Sequence, residues 1–186
     1  MHFIIDLWMP IVLSAVIVFF ASSVLWMATP LHKRDFSTPP DENGLLSLLR
    51  AGNFAPGKYY VPWCSGKNFK DPEHMAKVKS GPWGLLIVPS AAPSFGRALG
   101  QWFVYQLLLA VFIAYAAKVT LPMHSGVEYL HVFRAVGAIA LVAHAGMAAQ
   151  DSIWHGVPWR ITIIKHIDGI VYALLTAGVY GWLWPR

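Results

Sequence analysis

Four long apolar stretches dominate this chain of 186 residues. Each is long enough to cross the hydrocarbon core of a bilayer, which takes about 20 helical residues. Lipid offers no hydrogen-bond partners to an open backbone, so such stretches are expected to be helices. Hydropathy predicts transmembrane helices near residues 4–27, 101–121, 127–149 and 161–184. We therefore expect an all-α integral membrane protein.

Composition and the placement of tryptophan support this prediction. Hydrophobic residues make up 56% of the chain and charged residues only 12%, which is about half the charged share of soluble domains. Tryptophans lie at the predicted helix ends, where amphipathic rings favour the membrane interface. They are Trp8, Trp26, Trp102, Trp182 and Trp184. The first helix has no basic segment before it, so we interpret it as retained rather than as a signal peptide.

The distribution of basic residues predicts the orientation of the helices. The basic residues at one end are Lys33, Arg34, Arg97, Arg160 and Lys165. Those at the other end are Lys118 and Arg186. The positive-inside rule places the larger set in the cytoplasm, so both termini are expected on the outer side of the membrane. The net charge of +5 reflects this topology and does not indicate nucleic-acid binding.

Residues 28–100 form the one substantial region outside the predicted membrane. Asp41 is expected to cap a helix that runs through Leu49, and a second helix is predicted over Pro72–Lys79. Strands are predicted over Lys58–Trp63 and Leu85–Val88. These patterns predict a small α/β lobe on the cytoplasmic surface. Too small for an independent core, the lobe is expected to rest on the transmembrane helices or on a partner.

The connections between the later helices are predicted to be short. With loops at 118–128 and 150–160, neighbouring helices should run antiparallel. The predicted fold is an up-down bundle of four helices. It comprises helix 1 in 1–27, the lobe in 28–100 and a three-helix region in 101–186.

The last predicted helix carries two parallel stripes, each with a step of four residues. The small residues are Gly169, Ala173, Ala177 and Gly181. The polar residues beside them are Asp168, Tyr172, Thr176 and Tyr180. Small residues at every fourth position allow another helix to approach closely, and a carboxylate inside a membrane favours protein over lipid. We therefore expect this side of the helix to pack against protein.

Two histidines are candidates for binding a cofactor. His144 and His166 lie at similar depths near the inner ends of the last two helices. Two histidines on facing helices could hold a haem iron or another metal. The alternative, which we favour, is a pair of interfacial histidines that form ordinary hydrogen bonds. No bound cofactor is therefore predicted, and haem remains the alternative. The single Cys64 excludes an intramolecular disulfide.

Two charged residues inside the predicted helices leave several interpretations open. Arg134 could extend its guanidinium to the outer interface, pair with Glu128, or face Tyr180 or a partner's acid. Asp168 could form an ion pair with Lys165, three residues earlier. A proton or ion pathway is disfavoured, because such pathways normally contain several ionisable groups.

Most of the chain resembles a group of small bacterial inner-membrane proteins. The segments with this resemblance are PDENG, APGKYYVPWC, SGPWGLLIVP, GRALGQWF and GVPWRITIIKHIDGIVYALLTAGVYGWLWP. The resemblance implies four transmembrane helices and a cytoplasmic loop. No activity is assigned to that group, so it identifies no catalytic residue here.

Three functions are compatible with the sequence. It has no phosphate-binding loop, nucleophile elbow or zinc-protease motif, so we favour a non-catalytic role and leave enzymatic activity open. The favoured hypothesis is an accessory subunit that packs against other integral-membrane subunits and lipid, and stabilises a respiratory or photosynthetic complex. The second hypothesis is a small redox protein with one haem or metal between His144 and His166. The third is a small transporter or proton-path protein.

Overall fold

The computed structural model describes residues 2–64, 66, 70–123 and 126–185. Arg186 and residues 124 and 125 of the predicted outer loop lie outside these ranges. The described helices and strands are α1 (His2–Asp6), α2 (Trp8–Met27), α3 (Glu42–Ala51), β1 (Gly57–Val61), α4 (Pro72–Ser80), β2 (Gly84–Val88), α5 (Phe95–Thr120), α6 (Tyr129–Ala145), α7 (Ala148–His155) and α8 (Trp159–Leu183). They fall into two compact units, a helical unit (Met1–Phe36 with Phe95–Arg186) and a lobe (Ser37–Ser94).

Four helical segments are long and apolar enough to cross a membrane. They are Trp8–Met27, Phe95–Thr120, Tyr129–His155 and Trp159–Leu183. The prediction of four membrane-length helices is therefore confirmed. Helix α5 begins earlier than predicted, at Phe95 rather than near residue 101.

The first predicted helix is interrupted near its start. Leu7 separates α1 from α2, although its N–H still donates to the carbonyl of Phe3 over 2.8 Å. Pro10 explains the interruption, because it has no N–H to donate to the carbonyl of Asp6.

The predicted inner loop at 150–160 is wrong. Helix α7 occupies Ala148–His155, so the connection to α8 is only 156–158. Gly156 ends α7 with a left-handed φ of 68°, a conformation that glycine adopts without a steric penalty. The hydroxyls of Ser152 and Thr162 are in contact and join α7 to α8.

The long helices pack against one another around small and aliphatic side chains. Helix α8 contacts α6 and α2, while α5 contacts α2 and α6. On α6 the fully buried residues Val132, Val136 and Ala140 repeat every fourth position. This repeat places one continuous face of α6 in the core.

The lobe contains the four elements that the sequence predicts. Strands β1 and β2 pair antiparallel, with Tyr59 opposite Leu86. The Asp41 carboxylate accepts a 2.8 Å hydrogen bond from the N–H of Gly44 at the start of α3. On α4, the hydrogen bond and charge of Lys77 lower the pKa of the exposed Glu73 carboxyl.

The apolar side chains of the lobe are not enclosed by it. None of its described residues is buried. Leu48 on α3 is 62% exposed, and Trp63 and Trp83 are 73% and 70% exposed. The described helices and strands of the lobe therefore form without a buried hydrophobic core among them.

Candidate functional site

Helix α8 buries both of its stripes. Its buried residues include the small ones, Gly169, Ala173, Ala177 and Gly181, and the polar ones, Asp168, Tyr172, Thr176 and Tyr180. On the opposite side Ile167 and Leu174 are exposed, whereas Ile164 and Val179 are also buried. The stripes thus form the most enclosed surface of the helix.

The small stripe sets the distance between α8 and α6. A Cβ atom added at Gly169 would lie 2.7 Å from the Cβ atom of Ala145. Farther along, a Cβ atom at Gly137 would lie 3.4 Å from the Cβ atom of Ala177. Only a residue without a side chain fits at Gly169, because 2.7 Å is far inside van der Waals contact.

Near Leu183, direct hydrogen bonds join the end of α8 and the residue after it to α5 and to the segment that follows α5. The hydroxyl of Tyr180 donates to the carbonyl of Ala110 on α5 over 2.9 Å. The indole N–H of Trp184 donates to the carbonyl of Pro122 over 3.1 Å. These polar groups therefore stabilise helix packing in a region without bulk water.

The other end of the polar stripe meets a charged cluster that the sequence did not predict. His32, in the segment after α2, is only 6% exposed. Its Nδ1 atom lies 2.7 Å from Oδ2 of Asp35, and its Nε2 atom lies 3.0 Å from Oδ2 of Asp168. The Nε2 contact has ion-pair distance but not the alignment of a hydrogen bond. The ring of Trp26 stacks on His32 at 3.9 Å, with 8° between the planes.

Arg160 completes this cluster from the start of α8. Its Nη1 atom donates to Oδ1 of Asp35 over 3.0 Å, and its Nη2 atom donates to the carbonyl of Leu31 over 2.9 Å. We call His32, Asp35, Arg160 and Asp168 the charged cluster.

The imidazole of His32 lies between the two carboxylates of the charged cluster, with Nδ1 toward Asp35 and Nε2 toward Asp168. Arg160 contacts Asp35 from the other side. A buried carboxylate is tolerated only when it is paired, so His32 allows Asp168 to lie inside the helix packing. The cluster therefore attaches the segment after α2 to the first turns of α8.

Two buried oxygen atoms near the cluster have no hydrogen-bond partner among the described residues. They are Oδ1 of Asp168 and the hydroxyl oxygen of Tyr172, one turn farther along α8. The ion-pair partner expected for Asp168 is engaged elsewhere, since Nζ of Lys165 lies 3.4 Å from Oδ2 of Asp151.

His144 and His166 have different surroundings. His144 lines a small interior space beside Ser14 and Gln106, and its ring lies 5.7 Å from that of Tyr172. His166 has its Nδ1 atom 2.8 Å from the carbonyl of Thr162. Among the described residues, no cluster of three or more His, Cys, Asp or Glu side chains could hold a metal ion. Haem binding between the two histidines stays a prediction.

Arg134 is exposed on α6 and borders a groove between α6 and α8. Residues of the groove include Gly137, Ala138 and Leu174. Within the described ranges Arg134 has no hydrogen bond or ion pair. The Tyr180 hydroxyl, one of its predicted partners, instead donates to the carbonyl of Ala110.

Sequence reasoning missed three of the four residues of the charged cluster. The sequence pattern indicates Arg160 only as a topology signal, and it does not indicate His32 or Asp35 as site residues. A histidine and an aspartate three residues apart, just after an apolar helix, are a weak local signal. Comparison of the chain with family models, curated proteins and solved structures found no match.

Proposed function

We propose that this chain is a non-catalytic accessory subunit that binds and stabilises a larger integral-membrane complex. Respiratory and photosynthetic complexes are the first candidates for its partner. The observation behind the proposal is the lobe, which forms helices and strands but buries none of its described residues.

An apolar surface of this kind favours a partner. Helix α3 presents Leu45 and Leu48, which are 40% and 62% exposed and one turn apart. Burying a leucine side chain contributes about 1.5–3 kcal/mol, so a helix with such a face gains stability when another surface covers it. A second protein subunit provides that surface in the proposal.

The groove beside Arg134 supports the same conclusion within the membrane. The small, exposed Ala138 would let a foreign helix approach this groove closely. An arginine that faces lipid is costly, and a carboxylate on a partner helix would compensate for it. In this proposal the chain contacts its partners through the apolar face of α3 outside the membrane and through the groove beside Arg134 inside it.

The proposed location is the bacterial inner membrane, with the lobe in the cytoplasm and both termini outside. Lys33, Arg34, Arg97 and Arg160 all lie near the helix ends assigned to the cytoplasm. The bond between Arg160 and Asp35 supports placing the end of α2 and the start of α8 on the same side of the membrane. The helices are proposed to alternate in direction as an up-down bundle.

Affinity purification from native membranes in a mild detergent tests the proposal. Tagged wild-type chain is expected to retain other membrane subunits in fixed proportion. The double variant Leu45→Gln/Leu48→Gln is expected to lose them, because glutamine keeps helix propensity but removes the apolar face. Asn43→Asp, on the same helix, is the matched control and should retain the subunits.

Circular dichroism of the purified variants separates loss of contact from loss of folding. The proposal holds when the double variant keeps its helix content and releases its partners. Retention of all partners by a folded double variant contradicts the role of the lobe. A wild-type chain that purifies alone contradicts the subunit proposal as a whole.

A redox protein with one haem is the second candidate. The hydrogen bond between Nδ1 of His166 and the Thr162 carbonyl favours the tautomer with a free Nε2 lone pair, which suits a metal ligand. In this proposal His144 supplies the second ligand. Visible absorption of the protein purified from haem-replete cells tests it. A Soret band that disappears in His144→Ala supports haem binding, and a protein without that band contradicts it.

A further inference from the structure

We propose that a pocket at the start of α8 binds the phosphodiester headgroup of an anionic phospholipid. The pocket has a volume of about 540 Å³. It is lined by Pro30, Leu31, Arg34, Arg160, Ile163 and Ile164. Two arginines on an otherwise apolar wall match an amphipathic anion better than a free ion.

The two arginines provide the recognition of charge. Arg160 is held in place by Asp35 and by the carbonyl of Leu31. A guanidinium has five N–H groups, so Arg160 retains donors for a ligand. Arg34 is exposed and has no hydrogen bond or ion pair with any described residue. An arginine pair is well suited to phosphate oxygens because each planar fork can donate two parallel hydrogen bonds.

The remaining wall provides the recognition of an acyl chain. Ile163 and Ile164 follow Arg160 along α8, toward the interior of the membrane-length segment. A lipid with its phosphate at the arginines would therefore continue along these side chains into the hydrocarbon region. Lipid is chosen over inorganic phosphate for this reason, since a free anion would gain nothing from the apolar wall.

The pocket and the charged cluster share one residue, so a ligand in the pocket affects the cluster. Arg160 belongs both to the cluster and to the pocket wall. A lipid phosphate that binds both Arg34, in the segment after α2, and Arg160, on α8, bridges the two parts of the chain. Because it binds only where the two arginines lie together, the bound lipid is expected to stabilise the attachment of the segment after α2 to α8.

Native mass spectrometry of the purified, delipidated protein tests the proposal. The probes are dioleoyl phosphatidylglycerol, which is anionic, and dioleoyl phosphatidylcholine, which has no net charge. Phosphatidylglycerol is expected to bind preferentially. Arg34→Gln is expected to weaken this binding by about tenfold, the effect of losing one charge-assisted contact. Arg50→Gln, which removes an arginine from the lobe, is the matched control and should leave binding unchanged.

Arg34 is preferred to Arg160 for substitution because Arg160 also holds Asp35. Titration with inorganic phosphate distinguishes a site for a lipid headgroup from a site for free phosphate. Millimolar inorganic phosphate should not displace the lipid. Equal retention of both lipids, unchanged binding by Arg34→Gln, or displacement by inorganic phosphate would each overturn the proposal.

Discussion

The Nε2 atom of His32 lies 3.0 Å from Oδ2 of Asp168 and joins two distant parts of the chain. Asp168 belongs to the last membrane-length helix, whereas His32 follows the first one. Both side chains are almost fully enclosed: the side chain of His32 is 4% exposed and that of Asp168 is 6% exposed. An acidic residue in α8 is thereby matched by a basic group from outside the helix.

Removing His32 is expected to destabilise the helical unit. His32→Leu leaves Asp168 without its 3.0 Å contact and leaves Asp35 with Arg160 alone. Leaving a buried polar group without its partner costs about 1–3 kcal/mol. The apparent midpoint of thermal unfolding in detergent should fall markedly. Lys77→Gln, which breaks the exposed pair with Glu73, should leave that midpoint nearly unchanged.

A double variant distinguishes charge pairing from simple packing. His32→Leu/Asp168→Leu removes the uncompensated carboxylate, so it should unfold at a higher temperature than His32→Leu alone. The unfolding midpoint of Asp168→Leu alone completes the comparison. If the double variant lowers the midpoint by the sum of the two single variants' decreases, the two groups do not act as a pair.

Gly169 is expected to tolerate no side chain. Gly169→Ala places a Cβ atom 2.7 Å from that of Ala145, and overpacking of this kind costs about 1–3 kcal/mol. Gly100→Ala on α5 is the matched control, because beyond the neighbouring backbone of its own helix no described heavy atom lies within 4 Å of the added Cβ. The control should be neutral or slightly stabilising, since alanine favours a helix over glycine. Equal unfolding midpoints for the two variants would contradict the close α6–α8 contact.

The Tyr180 hydroxyl is expected to contribute measurably to stability. Tyr180→Phe removes the 2.9 Å bond to the Ala110 carbonyl and should cost about 1 kcal/mol. Tyr115→Phe is the control, because Tyr115 is 57% exposed and has no hydroxyl bond to a described residue. Denaturant titration of both variants in the same detergent measures the difference. A loss in the Tyr115 variant as large as that in the Tyr180 variant would rule out the interhelical bond as the cause.

Local patterns in the sequence predicted the four membrane-length helices and the helices and strands of the lobe. The cap at Asp41 and the helix that begins at Pro72 could be predicted, because helix starts depend on neighbours in sequence. The two stripes of α8 could be predicted for the same reason, because residues four apart lie on one side of any helix. Helix α7 was missed because polar residues such as Gln150 and Asp151 resemble a loop, although Ser152 packs on α8.

The charged cluster could not be predicted in this way. His32 and Asp35 meet Asp168 and Arg160 only after two helices have packed, and nothing in the intervening sequence specifies that distance. Lys165 was the obvious local partner for Asp168, but in the structure it contacts Asp151. Tertiary packing decided between a local pair and a distant one.

The proposed topology can be measured with reporter fusions. A fusion after Trp184 is expected to activate alkaline phosphatase and to leave green fluorescent protein dark, because that end is assigned to the outer side. A fusion in the lobe after Ser94 should give the opposite result. Fluorescence from the fusion after Trp184 would reverse the assignment.

The native mass of the complex in mildly solubilised membranes tests the central claim most directly. The chain alone has a mass of 20.6 kDa. As an accessory subunit, it should migrate on a native gel in a much larger band, with other membrane subunits in constant ratio. If all of the chain migrates as a free monomer in its detergent micelle, under conditions that preserve known membrane complexes, the accessory-subunit account is contradicted.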